Sequence, residues 1–219
     1  MALNWTALYA ALVMVWSAAL CFGQSIAGGC GEVVTIQTHG RTTTRYALSR
    51  PQGEAADGVK ISLVLLAGGG GHIDLDDKGC PRALVGNSLV RSVPLFNRAG
   101  FVTALVDAPT DYHRADGLAG IRIVSEHAND LGKVIADLRA RVNGPVWVIG
   151  TSRGTISAVN AGARLSGAAA PDGLVLTSAL ISGERGDNRF TESEHGVPPS
   201  GKRFRLQKRT SGNYELWSR

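Results

Sequence analysis

The chain has 219 residues, 44% of them hydrophobic and 19% charged, which is the balance of one ordinary globular domain rather than a disordered or fibrous chain. Its net charge of +5 does not amount to a nucleic-acid footprint, because residues 182–219 carry eight Lys/Arg against five Asp/Glu and no recognised binding module accompanies them. The expected partner is therefore a small molecule and not a nucleic acid.

Residues 1–27 stand apart. The stretch from Ala7 to Gly23, "ALYAALVMVWSAALCFG", is uncharged and is followed by small and polar residues. It has the length of a signal-peptide apolar region, and Ser25 and Ala27 supply small residues at the two positions that a signal peptidase inspects. The segment "MALNW" before it lacks Lys and Arg, which leaves an uncleaved anchor or lipidation at Cys30 as the other readings. The expectation is an exported chain, periplasmic or extracellular, with no stable membrane span once the signal is removed. Loss of the signal removes Cys21 and leaves Cys30 and Cys80, which either close a long loop as a disulfide or remain two unpaired thiols.

Residues 28–181 read as the folded core. "EVVTIQTHG" and "RTTTRYALSRP" form a candidate hairpin around a Gly-containing turn, and "KISLVLLA" at 60–67 is a nearly continuous apolar run of the kind buried on both faces of a sheet. Residues 87–99 are helix-like between Asn87 and Gly100, with Pro94 placed to kink or divide them. "FVTALVDAP" at 101–109 is another buried strand. In 121–142, Val124, Ala128, Leu131, Ile135, Leu138 and Val142 recur at spacings of four and three, one apolar face of a long helix. A strand in "GPVWVIG", a helix at 153–165 and a strand at 172–180 complete the alternation. The implied fold class is α/β, a mostly parallel sheet with helices on both faces, and ligands bind such sheets beyond the carboxyl ends of the strands.

Two loops at those ends carry chemistry. Gly150-Thr151-Ser152-Arg153-Gly154 matches G-x-S-x-G, in which small residues on either side let a strand reverse into a helix and project the serine above the sheet. The other is "LLAGGGGHIDLDDKGCPR". It lacks the Lys-Ser/Thr of a phosphate loop, and Ile73 occupies the place of the third glycine of a dinucleotide fingerprint. A cradle for an oxyanion fits better, with one N-H from Gly69 or Gly70 and another from Arg153.

"LLAGGGGH" and "GTSRG" resemble the oxyanion loop after the third strand and the nucleophile elbow after the fifth in the α/β-hydrolase superfamily. The resemblance spans roughly residues 33–181. It implies a serine hydrolase of esters, thioesters or amides that needs no metal or other cofactor, with an acyl-enzyme at Ser152 and an acid followed by a histidine after the elbow. His195 is the one histidine after Ser152, and Asp187, Glu192 or Glu194 would have to orient it. The tail after residue 181 has no buried-strand run, so the C-terminal third is expected to be incomplete or aberrant. Residues 182–219 are expected as a polar, poorly ordered tail in which His195 reads as a solvated loop residue. Such a chain is a weak hydrolase or, in the competing reading, a non-catalytic small-ligand-binding protein or inactive remnant. A sheet that ends at its sixth strand also makes an oligomer a reasonable expectation.

Among the other candidates, His72 is placed to line the site or support the glycine loop, His113 to touch substrate, and Asp107 to organise its loop through hydrogen bonds. His39 and His127 read as turn and helix-surface residues, and Asp74, Asp76 and Asp77 as exposed loop carboxylates.

Overall fold

The computed structural model describes residues 29–51, 61–179, 204–208 and 214–218. Its main sheet has six strands in the order β1-β2-β4-β3-β5-β6, with β1 Glu32–Gln37, β2 Thr43–Ser49, β3 Ser62–Leu66, β4 Val102–Val106, β5 Val146–Thr151 and β6 Gly173–Thr177. β3 pairs in parallel with β4 and β5, and β5 pairs in parallel with β6. β2 is antiparallel to both its neighbours, so it alone runs against the rest.

Among the described residues three α-helices flank this sheet: α1 Ser88–Arg98, α2 Ser125–Val142 and α3 Gly154–Arg164. The alternation of side chains along a strand divides the core between two faces. Val64 and Leu66 of β3 pack with Leu131, Ile135 and Leu138 of α2 and Ala158 and Ala161 of α3. Leu63 and Leu65, one residue out of phase, pack with Leu89 and Val90 of α1 and with Ile73 and Leu75. All five β3 residues are buried, which is why the run "SLVLL" shows no polar alternation. The expected fold class, a mostly parallel α/β sheet covered on both faces, is what the chain adopts.

Local chemistry accounts for the helix ends. Asn87 caps α1, its side-chain oxygen accepting from the Leu89 N-H at 3.1 Å. Pro94 lies inside α1 without dividing it. The long helix begins later than its apolar spacing predicts, at Ser125 rather than near Ile121, and Val124 is 38% exposed. The cause is Asn160 on α3, whose Nδ2 donates to the carbonyls of Arg122 at 2.9 Å and Val124 at 2.8 Å and holds 121–124 in turns.

Cys30 and Cys80 are joined as a disulfide across a sequence separation of 50, which ties the segment before β1 to the loop after β3. Within the tail, where the sequence shows no buried-strand run, β7 Phe204–Lys208 and β8 Tyr214–Ser218 pair antiparallel as a separate two-stranded sheet. The short apolar alternations in "FRLQK" and "YELWS" were too brief to stand out in a polar segment. No helix among the described residues is long and apolar enough to cross a membrane.

Candidate active site

Ser152 sits between the end of β5 and the start of α3 with φ of +50°, a left-handed conformation that costs a residue with a side chain energy. Its backbone is held from both sides. The Ser152 N-H donates to Thr177 O on β6 at 3.0 Å, and its carbonyl accepts from the Thr155 N-H at 3.0 Å and the Thr155 hydroxyl at 2.6 Å. The flanking glycines are required by contact rather than by flexibility. A Cβ on Gly150 would lie 2.5 Å from Gly154 O, and one on Gly154 would lie 2.2 Å from Leu66 O. Strand, turn and helix therefore close on one another only with glycine at both positions, as the G-x-S-x-G reading requires.

The glycine loop after β3 meets this turn. A Cβ on Gly68 would lie 3.0 Å from Ser152 Cβ, so the loop backbone rests directly against the serine. Gly69, with φ of +60°, and Gly70 follow at partly exposed positions, and Gly70 O accepts from the Leu118 N-H at 2.7 Å. Arg153, exposed, is the N-cap residue of α3. The structure thus brings Ser152, Arg153 and the Gly68–Gly71 loop together at the carboxyl end of the sheet.

His72 and Asp107 close the far end of that loop. Asp107, 4% exposed, accepts on Oδ1 from the Ile73 N-H at 2.7 Å, the Ala108 N-H at 2.8 Å and His72 Nδ1 at 3.0 Å, and on Oδ2 from the Leu75 N-H at 3.1 Å. The carboxylate ties the loops after β3 and β4 together, the organising role expected for it. His72 is stacked on His113 with ring centroids 4.2 Å apart, and His113 Nε2 is 2.9 Å from Ala108 O. Ligand atoms of His72, Asp107 and His113 lie within 4.8 Å of one another, the one grouping among the described residues with the makings of a metal site. The four donors already on Asp107 explain that convergence through hydrogen bonds.

His127 is not on the helix surface. It is 4% exposed, with Nε2 2.9 Å from Ser157 Oγ, and burial, followed by the positive charges of Arg122 and His39, pushes its pKa down to about 3. α2 buries a face wider than one apolar stripe, including His127, Asp130 and Gly132, because it packs against the sheet and α3 together. His39 lies in the β1–β2 turn as expected, with Nδ1 2.5 Å from Asp130 Oδ2 and Nε2 3.0 Å from Asp111 Oδ2. Burial disfavours its charge, but hydrogen bonds to Asp130 and Asp111 and their negative charges prevail and raise its pKa. Of the acidic loop residues, Asp77 is fully exposed, Asp74 pairs with Arg82 at 3.0 Å, and Asp76 caps its own turn by accepting from the Lys78 and Cys80 N-H groups.

His195 and Asp187, the candidate base and acid, lie outside the described residues, as do Glu192 and Glu194. Sequence reasoning missed Arg122, which is 1% exposed and donates to the carbonyls of Ala67 and Gly69 in the glycine loop. Placing residues 121–124 in a helix hid it, since a lone arginine in an amphipathic pattern reads as solvated.

No protein-family model matches the chain, and no curated protein matches it in sequence. Solved structures do match. One is a Xanthomonas campestris protein described as a member of the α/β serine hydrolases without a lid, at 16% identity and a TM-score of 0.44. The match covers 66% of this chain and 59% of that chain, so this chain spans about three-fifths of its neighbour's length.

Proposed function

We propose that this chain is an exported serine hydrolase acting on an ester, thioester or amide of small size through an acyl-enzyme at Ser152. The observation that carries the reading is the strained serine at the β5–α3 junction, with φ of +50°, against which the backbone of Gly68 packs. A positive φ at a non-glycine residue is retained where the surrounding structure enforces it, and functional sites concentrate such residues.

In this mechanism Ser152 Oγ attacks the acyl carbon, and the N-H groups of Arg153 and of Gly69 or Gly70 receive the charge that forms on the carbonyl oxygen. The N-terminus of α3 adds its positive dipole end beneath that charge. The leaving alcohol, thiol or amine departs as the tetrahedral intermediate collapses, and water then releases the acid from Ser152. His195, oriented by Asp187, is the proposed base, being the histidine that follows Ser152 in the chain. Losing the full effect of a triad member removes several orders of magnitude in rate while the oxyanion hole leaves a residue above water. The disulfide between Cys30 and Cys80 supports export, since such bonds persist in oxidising compartments.

Hydrolysis of an activated ester such as p-nitrophenyl acetate tests the proposal. Slow turnover that disappears in Ser152→Ala is expected. Turnover unchanged by Ser152→Ala would overturn it, and ligand binding without turnover or dependence on Ser152 would favour the non-catalytic binding protein.

A further inference from the structure

Arg122 is a buried cation whose hydrogen-bond partners among the described residues include no carboxylate. Nη1 donates to Ser157 Oγ at 2.8 Å, and Nη2 donates to Gly69 O at 3.1 Å and Ala67 O at 3.4 Å, while Nε has no partner among the described residues. Burying a guanidinium in this way is costly, and three neutral oxygens compensate it only in part. Burial, with the like charge of Arg153 behind it, accordingly lowers its pKa to about 10, still high enough to keep it charged at neutral pH. Its backbone is fixed as firmly as its head, because Asn160 holds the Arg122 carbonyl.

The contacts are distributed along the loop in a telling way. Arg122 meets it at Ala67, Gly69 and Gly71, where a Cβ would fall 2.6 Å from Nη2, whereas Ser152 meets it at Gly68. In a trans peptide the carbonyl and the following N-H point in opposite directions. Drawing the carbonyls of Ala67 and Gly69 toward the guanidinium therefore turns the N-H groups of Gly68 and Gly70 away from it. A cation on the carbonyl side of a peptide also polarises that peptide and strengthens its N-H as a donor.

We propose that Arg122 is a positioning residue for the oxyanion hole, holding the Ala67 and Gly69 carbonyls so that the N-H of the Gly69–Gly70 peptide faces the reacting carbonyl. The inference rests on the serine-hydrolase reading for its consequence, but its structural part is independent of catalysis. It touches no substrate itself, and Ser157, with His127 on the same hydroxyl, serves as the wall that keeps the guanidinium in place.

The full chain as wild type, Arg122→Met and Arg122→Lys separates the two parts. Hydrogen exchange followed by mass spectrometry reads the Gly71 and Leu118 amides, which donate to Gly68 O and Gly70 O. Arg122→Met is expected to speed exchange there by about tenfold or more with the rest of the fold unchanged, and Arg122→Lys, with one compact donor head, to fall between. The same proteins are reacted with a fluorophosphonate, whose phosphoryl oxygen occupies the oxyanion position. Labelling at Ser152 is expected to slow about 10- to 100-fold in Arg122→Met and to recover partly in Arg122→Lys. Unchanged loop exchange, or exchange raised evenly across the chain, overturns the anchoring role. Wild-type labelling that Arg122→Met does not slow overturns the oxyanion role while leaving Ser152 a nucleophile. A folded wild type that does not label at all overturns the hydrolase reading and the oxyanion role together, with exchange still deciding whether Arg122 anchors the loop. If Arg122→Met does not fold, Arg122→Lys carries both comparisons.

Discussion

At the scale of single residues, two side chains hold conformations or protonation states that the fold enforces at a cost. Ser152 keeps φ of +50° because its N-H, its carbonyl and the flanking close contacts leave it no other course. A left-handed residue with a Cβ costs about 1–2 kcal/mol, and glycine returns about 0.5–1 kcal/mol of that in unfolded-chain entropy. Ser152→Gly is therefore expected to stabilise the chain by about 0.5–1 kcal/mol in urea denaturation, and Ser152→Ala to give no such gain; equal stability of all three proteins would mean that the turn is not strained. His127 is the second case. Its folded pKa of about 3 lies below its unfolded value, so the neutral form is the one the fold accepts. The stability that goes with it is fully present above pH about 6.5 and is lost as the pH falls toward about 3, because the unfolded chain takes up the proton first. His127→Gln, which keeps a hydrogen-bonding group near Ser157, is expected to flatten the pH dependence of the unfolding midpoint across that window; an unchanged slope would contradict the assignment.

At the scale of elements, the carboxyl ends of β3, β4 and β5 do the work of assembly. Asp107 after β4 takes four donors, three of them from the loop after β3, and so couples two loops that the sequence places 35 residues apart. Arg122 reaches the same loop from the turns before α2, and Ser152 meets it from the β5–α3 turn. The six strands of the main sheet, the helix at Asn87 and the serine turn were legible in the sequence because each is fixed by local rules: apolar runs, an N-cap and a steric demand for glycine. The start of α2 was not, since side-chain bonds from Asn160 override the apolar spacing at 121–124. The burial of His127 and Arg122 was equally invisible, because polar residues enter a core through partners distant in sequence. Asp107 could be read as a loop organiser from its place at a strand end, although its four donors could not be named. Asn87→Ala, which removes the cap on α1, is expected to cost about 1 kcal/mol, as chemical denaturation would show.

At the scale of the whole molecule, the sheet is stapled on one side by the disulfide and ends on the other, among the described residues, at β6. The bond between Cys30 and Cys80 fixes the segment that enters β1 against the turn capped by Asp76, and Ser49 at the end of β2 hydrogen-bonds the Cys30 carbonyl. Closing a loop of this separation removes unfolded-chain entropy worth about 4 kcal/mol. Reduction with dithiothreitol is expected to lower the unfolding free energy by that amount, and no change would mean that the cross-link is not formed in the purified chain. The two-sided core, the paired loops and the buried arginine all serve to hold one serine against one stretch of glycine backbone. The most direct test of that claim is the intact mass of the full chain after reaction with a fluorophosphonate, beside Ser152→Ala. A single adduct in the wild type and none in the variant is the expected result; a folded wild type that stays unmodified, or an adduct that persists in Ser152→Ala, would contradict it.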